Sequence, residues 1–179
     1  MGPLPATVRR AVLGALCLLT LALGWTSARG KSMTFDEYTI VPAGLSHLAT
    51  RDFRMNAETA PLAKLLSAVS VRVLVDPRVP IAGEAWERAG AGEPNMQWRF
   101  AGEFFTSNSD RVEEIVAAAR LPVLLLLGLL PLAAYLLGRD LYGPTAGLIA
   151  AARCAACPNL IAHGRLATSD LALAFCPVL

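Results

Sequence analysis

Two adjacent carboxylates, Asp36 and Glu37, are the strongest candidates for catalytic residues in this sequence. Neighbouring residues of a helix point about 100° apart, so the pair is not expected to act as a twin-carboxylate dyad. We expect one carboxylate to act as a general base while the other holds a neighbouring group or a helix end. The alternative is a solvated helix start, where the helix dipole favours acidic residues.

Two further acidic positions occur in polar clusters later in the chain. Glu58 precedes Pro61, where an extended segment gives way to a predicted helix. Asp170 stands where a last apolar run begins. Both carboxylates are candidates for lining a binding site. Glu58 could equally be an ordinary loop residue, and Asp170 could simply cap a helix.

Three cations lie near the predicted membrane boundary, namely Lys64, Arg120 and Arg165. Such side chains can neutralise the phosphate of a lipid, and arginine offers two parallel hydrogen bonds for this purpose. The alternative for each one is snorkelling toward lipid headgroups. We therefore keep all three as candidates for binding a lipid-linked substrate.

The composition is that of a membrane protein. The mean hydropathy is +0.49, 55% of the residues are hydrophobic and 17% are charged. The apolar residues concentrate in residues 11–28, 121–138 and 145–162, each segment being close to the ~20 residues that cross a bilayer. The net charge is +2, and no basic stripe with interleaved aromatic residues is present, so nucleic acid is not expected as a partner.

The charges at the N-terminus predict a topology. Arg9 and Arg10 precede the first apolar segment and, by the positive-inside rule, remain cytoplasmic. The predicted order is a cytoplasmic N-terminus (1–10), membrane helix 1 (11–28), an exported loop (29–120), membrane helix 2 (121–138), a cytoplasmic turn (139–144), membrane helix 3 (145–162), an exported loop (163–170) and the start of membrane helix 4 (171–179). All the acidic clusters then lie on the exported side.

Two alternatives concern the ends of the chain. Thr26-Ser27-Ala28 also fits the end of a cleaved secretory signal, which would export the same loop. The last apolar run, residues 171–179, is too short to cross a membrane. We therefore expect residues 1–179 to be the N-terminal part of a longer multispanning protein, and to be inactive alone because intramembrane polar groups would lack partners.

The cysteines do not indicate a site. All four, at positions 17, 154, 157 and 176, fall in apolar segments, so no disulfide framework is expected in the exported loop. Cys154 and Cys157 have redox or zinc spacing, but no second ligand pair accompanies them. Packing is the preferred interpretation, and no metal site is predicted.

The exported loop contains predicted helices. Residues 35–48 and 62–75 have apolar positions at helical spacing and are predicted to be amphipathic helices on the membrane surface. Residues 76–108 carry Pro, Gly and Glu and are predicted to be irregular, with aromatic residues that anchor at the interface or pack on the surface helices. Asp110 and Glu113 fit a capping box that starts the helix leading into the second span.

Several short stretches together resemble a known family. They are Asp36-Glu37 after the first span, Asn56-x-Glu58-x-x-Pro61-Leu62, Ala119-Arg120-Leu121-Pro122, Leu141-Tyr142-Gly143, and residues 158–164 running to Thr168-Ser169-Asp170. Their order resembles the dolichyl-phosphate-mannose–protein mannosyltransferase family (glycosyltransferase family 39) and its bacterial phospholipid carrier-dependent relatives. The chain departs from the family in having Ala60-Pro61 where Pro-Pro is usual, so a protein acceptor is not specified.

The resemblance implies an all-α membrane protein of the GT-C type, truncated here, with surface helices in its first outer loop and a catalytic cavity at the outer leaflet. In that family Asp36 would correspond to the general base of an inverting transfer, with Glu37 beside it. Glu58 and Asp170 would line the cavity, and Arg120 would contact the phosphate.

The implied reaction moves a hexose-type sugar, as in mannosyltransferases, from a polyprenyl-phosphate carrier to an acceptor hydroxyl. The implied partners are that lipid-linked sugar, membrane lipids, and an acceptor that is a protein, a lipid or a glycan. No cofactor is required, although a divalent cation stays open. The implied location is a bacterial inner (plasma) membrane, with the active site on the exported side. The alternative is a non-catalytic multispanning protein, either a transporter segment or an inactive truncated product.

Overall fold

The computed structural model describes residues 4–175. Within that range the chain is helical and contains no strand. Its helices are α1 (Ala6–Ala28), α2 (Phe35–Thr50), α3 (Pro61–Leu74), α4 (Glu84–Gly90), α5 (Met96–Ser107), α6 (Val112–Tyr142), α7 (Pro144–Ala155), α8 (Pro158–Gly164) and α9 (Asp170–Phe175). Cys176 and the remainder of the predicted fourth span lie outside the described residues.

The chain divides into two compact units. The loop unit comprises residues 31–122 and 166–169, and the membrane unit comprises the described residues up to 30, 123–165 and from 170 onward. The helix α6 is shared, because its first part belongs to the loop unit and the part from Val123 to the membrane unit.

The membrane unit contains the apolar helices. Both α1 and α6 are long and apolar enough to cross a membrane, as the sequence predicts. Leucines of α6 form the centre of a buried cluster with Ala28 and Leu171. On α1, Gly24 allows close packing, since a Cβ there would lie 2.5 Å from a side-chain methyl of Leu127.

The third predicted span differs from a straight helix over residues 145–162. It is a pair, α7 and α8, bent by 60° at a break around Ala156 and Cys157, and it counts as a third span only if the pair is taken together. Pro158 starts α8, and its ring and missing N–H explain the break. Cys154 packs on the apolar cluster, and the described cysteines are free, which agrees with the packing interpretation.

The loop unit is built around α2. The predicted helix is confirmed, and ten of its sixteen residues are buried within the protein. Gly44 sits where α2 meets α3, and a Cβ at that position would lie 2.5 Å from the carbonyl oxygen of Lys64. The second amphipathic segment is confirmed as a helix, with Pro61 in its first turn.

Residues 76–108 are not irregular, in contrast to the prediction. Two helices, α4 and α5, occupy much of this range. Aromatic packing explains them, because Trp86 and Phe100 have ring centroids 5.9 Å apart in one buried cluster and Phe104 is fully buried in another. The aromatic residues therefore stabilise the unit by packing, the second of the two predicted alternatives.

The helix α6 begins at Val112, slightly later than the predicted capping box requires. Asp110 consequently lies two residues before the helix rather than at its N-cap. The helix then continues without a break from the loop unit into the apolar segment. The end of the segment predicted to be an exported loop and the predicted second span are thus parts of one helix.

Candidate active site

The first turn of α2 separates the two candidate carboxylates completely. Asp36 is exposed, whereas Glu37 has no exposed surface. Their neighbouring positions on the helix account for this, because adjacent side chains point in different directions. One carboxylate therefore faces outward and the other faces the interior of the loop unit.

Glu37 is held by an ion pair with Arg120. Nε of Arg120 donates to Oε1 and Nη2 donates to Oε2, both at 2.8 Å. The same guanidinium donates to the carbonyl oxygens of Lys31 and Ser32, each at 3.0 Å. Arg120 is 3% exposed. The pair thus fixes the segment before α2 against the helix α6.

Backbone groups complete the environment of the Glu37 carboxylate. The N–H of Ala167 donates to Oε1 at 2.9 Å, and the N–H of Thr34 donates to Oε2 at 2.9 Å. Thr34 and Glu37 form a reciprocal capping box at the start of α2. Burial alone would raise the pKa of Glu37, but the hydrogen bonds and charge of Arg120 and these backbone donors lower it below its ordinary value.

The spacing Thr34-x-x-Glu37 is a capping-box pattern, a local signal from which this role of Glu37 can be predicted. This box at the start of α2 differs from the capping box predicted at Asp110 and Glu113, which would start the helix leading into the second span. The partner Arg120, 83 residues away, has no local signal. With all of its contacts, Glu37 is an anchor, and Asp36 is the exposed carboxylate of the pair.

The first turn of α5 contacts both Glu58 and the start of α2. Its Oε1 accepts a hydrogen bond from Nε2 of Gln97 at 2.9 Å. The next residue, Trp98, packs against Phe35, with ring centroids 4.3 Å apart. Gln97 and Trp98 are in the first turn of α5, so this turn contacts both Glu58 and Phe35, the residue before Asp36.

Lys64 is buried inside the loop unit. It is 1% exposed and donates to the carbonyl oxygen of Asn56 and, at 3.2 Å, to its side-chain Oδ1. Burial lowers the pKa of Lys64, and the charge of Glu58 opposes this shift. The side chain therefore stabilises the turn that carries Glu58.

His47 is a buried polar residue that no sequence motif indicates. Its Nε2 lies 2.8 Å from the carbonyl oxygen of Met55 and must donate to it, since a carbonyl only accepts. Nδ1 is buried without a hydrogen-bond partner in the described part of the chain. Burial lowers the pKa of His47, and the charge of Lys64 adds to this effect.

The remaining candidates belong to the membrane unit. Arg165 is partly buried, and its Nη1 donates to the carbonyl oxygen and the hydroxyl of Ser27, both at 3.0 Å. It therefore connects the region after α8 to the end of α1. Asp170 is exposed at the first position of α9, with its Oδ2 3.6 Å from Nδ1 of His163.

Neither a metal centre nor a relative supplies further guidance. Among residues 4–175, no group of three or more His, Cys, Asp or Glu side chains is arranged to hold a metal ion. No protein-family model, curated protein or solved structure matches this chain. The chemistry assigned to the site therefore depends on its own residues.

Proposed function

We propose that this chain belongs to an integral-membrane glycosyltransferase that uses a polyprenyl-phosphate-linked hexose. The observation that carries the proposal is the separation of the carboxylate pair. Asp36 is exposed, while the carboxylate of Glu37 beside it accepts hydrogen bonds from Arg120 and from backbone N–H groups. This arrangement supports one reactive carboxylate on a fixed helix start, which is what a single-base mechanism needs.

In the proposed reaction, the carboxylate of Asp36 accepts the proton of an acceptor hydroxyl. The hydroxyl oxygen forms a bond to the anomeric carbon of the sugar as the bond from that carbon to the carrier phosphate oxygen breaks. Attack opposite the leaving group inverts the configuration. The phosphate departs as a stable anion, so no general acid is required.

The other candidates take supporting roles in the proposal. Glu58 is exposed near the same end of α5 and is suited to a hydroxyl of the sugar or the acceptor. Arg120 and Lys64 are buried and bonded to groups of their own unit. We therefore assign them to positioning Asp36 and Glu58, in place of the carrier-phosphate contact that the resemblance implies for Arg120.

The test uses the protein in membranes supplied with a radiolabelled polyprenyl-phosphate hexose. Asp36→Asn keeps the shape of the side chain but cannot accept the proton, and loss of a general base lowers turnover by roughly 10²–10⁴-fold. Carrier binding and thermal stability should be close to wild type.

The matched control is Glu37→Gln, the same chemical change at the adjacent position. We expect it to lower stability and the amount of folded protein, with activity per folded molecule less affected than in Asp36→Asn. Near-wild-type turnover by Asp36→Asn with an inactive, stable Glu37→Gln would exchange the two roles. If neither change alters transfer, the proposed catalytic role of this loop is wrong.

A further inference from the structure

A cavity lies inside the loop unit, at the end of α2 opposite to Asp36. Its volume is about 610 Å³, which falls in the range of about 300–1,000 Å³ that is usual for small-molecule sites. The last part of α2, the end of α3 and the segment directly after α3 enclose it. Leu48, which lines the cavity, is about 18 Å from Asp36 along the helix axis, so this cavity is separate from the proposed catalytic site.

One wall of the cavity is apolar. Leu45, Leu48 and Ala49 of α2 form this wall together with Val79. Leu45 belongs to the buried core and is 1% exposed, whereas Leu48 is 38% exposed. The wall therefore extends from the core to the surface, and it suits a ligand with an apolar body.

The other wall carries charged side chains. Arg72 and Asp76 both line the cavity and pair with each other. Arg78 also lines it, and its guanidinium makes no hydrogen bond or ion pair with any residue between positions 4 and 175. One positive charge is thus left over at the cavity, and this favours a ligand that carries an anionic group.

The backbone that carries Arg78 is fixed by a buried amide. Asn108, which is 4% exposed, accepts a hydrogen bond from the N–H of Arg78 and donates one to its carbonyl oxygen, both at 2.9 Å. The same amide nitrogen donates to the carbonyl oxygen of Phe104 at 2.8 Å. Before Arg78, the N–H of Asp76 donates to the carbonyl oxygen of Val71 at 3.0 Å. This wall is therefore formed before a ligand binds, which reduces the entropy lost on binding.

We propose that the cavity binds a small amphipathic anion, with a compact apolar body against α2 and one phosphate or carboxylate group on Arg78. A guanidinium can donate two parallel hydrogen bonds to either group. A cationic ligand would be repelled by Arg78, and a neutral apolar ligand would leave the guanidinium partly desolvated without a partner. The long chain of a polyprenyl carrier is too large to be enclosed here, so the ligand is distinct from the carrier of the proposed reaction.

The test is calorimetric titration of the full chain in phosphatidylcholine nanodiscs, with empty nanodiscs as the blank for partitioning into lipid. The probes are hexyl phosphate, hexanoate, hexanol and inorganic phosphate. We expect the two amphipathic anions to bind saturably, and more tightly than hexanol or inorganic phosphate, each of which lacks half of the recognised chemistry. Arg78→Gln should weaken the binding of hexyl phosphate about 10–100-fold, because charge-assisted hydrogen bonds are lost.

Two further variants complete the test. Arg99→Gln is the matched control, the same change at an exposed arginine of the loop unit that does not line the cavity, and it should leave the affinity unchanged. Ala49→Phe places a large side chain on the apolar wall and should abolish binding although Arg78 is kept. Circular dichroism and thermal unfolding without ligand show whether each variant is folded.

Three outcomes would overturn the proposal. Equal affinity for hexanol and hexyl phosphate would show that the cavity does not select for charge. Equal affinity of Arg78→Gln and Arg99→Gln for hexyl phosphate would show that the guanidinium does not hold the anion. Absence of saturable binding of both anions would show that no such site exists. None of these readouts depends on sugar transfer.

Discussion

Glu37 and Arg120, 83 residues apart in the sequence, face each other as a buried bidentate ion pair with two 2.8 Å hydrogen bonds. The pair joins the first turn of α2 to α6, and Ala167 adds a third segment through its N–H. An ion pair removed from water is strongly sensitive to loss of one partner, because the other charge stays buried. It therefore controls the position of the neighbouring Asp36.

The first prediction concerns that pair. Glu37→Gln should destabilise the loop unit by about 3–5 kcal/mol, since Arg120 is left charged and buried. The measurement is thermal unfolding in nanodiscs. Asp36→Asn, an equivalent change at an exposed position, should shift stability by no more than about 0.5 kcal/mol. The double variant Glu37→Leu with Arg120→Met should recover part of the loss. A single variant as stable as wild type would contradict the role of the pair.

A second prediction follows from His47. Its pKa in the folded protein lies below the ordinary 6.5, so the unfolded chain takes up a proton first as the pH falls. The stability of the protein should therefore be unaffected by this group above about pH 6.5 and should decrease as the pH falls through the folded pKa.

The comparison for His47 is His47→Gln, which keeps a donor for the Met55 carbonyl but does not titrate. Melting temperatures measured between about pH 8 and pH 5 should diverge, with the wild type losing more stability at the acidic end. Glu37 does not interfere, because its contribution is lost only below its ordinary value of 4.5. Parallel pH profiles for the two proteins would show that His47 does not titrate differently on folding.

The third prediction tests the crossing of α2 and α3. Gly44→Ala brings a Cβ to within 2.5 Å of the Lys64 carbonyl oxygen, and this backbone atom moves only if the helix moves. We expect a loss of about 1–3 kcal/mol from overpacking. Gly102→Ala, whose Cβ would meet only the hydroxyl end of Tyr38 at 3.3 Å, is the control and should cost less. Equal stability of both variants would argue against the close crossing.

The last prediction is the topology. Cysteines introduced at Ala91 and Leu141, both exposed, should react differently with a membrane-impermeant maleimide in sealed cells. Ala91→Cys should be labelled from outside and Leu141→Cys only after the membrane is permeabilised, because the positive-inside rule predicts a cytoplasmic N-terminus from Arg9 and Arg10. Ala91 is used in preference to the neighbouring Gly92, because a cysteine at Gly92 would be strained by the backbone φ of +86°. Equal labelling of both positions from outside would refute the predicted order.

The sequence alone determined the features that depend on neighbouring residues. Long apolar runs predicted α1 and the membrane part of α6, and Pro61 with its apolar periodicity predicted the start of α3. These predictions succeed because hydropathy over ~20 residues and proline at a first turn act locally. They also hold before any contact between distant segments is known.

Only the tertiary structure decided which carboxylate is exposed and which cations are buried. The spacing Thr34-x-x-Glu37 marks Glu37 as a capping residue, but its burial depends on the contacts with Arg120 and Ala167, which no local pattern predicts. In the same way, α5 is stabilised because Phe100 and Phe104 are buried in apolar clusters, although the sequence around α5 is rich in turn-forming residues. The physical reason is that burial and ion pairing are set by residues far apart in the chain, whereas a sequence pattern carries information only about near neighbours.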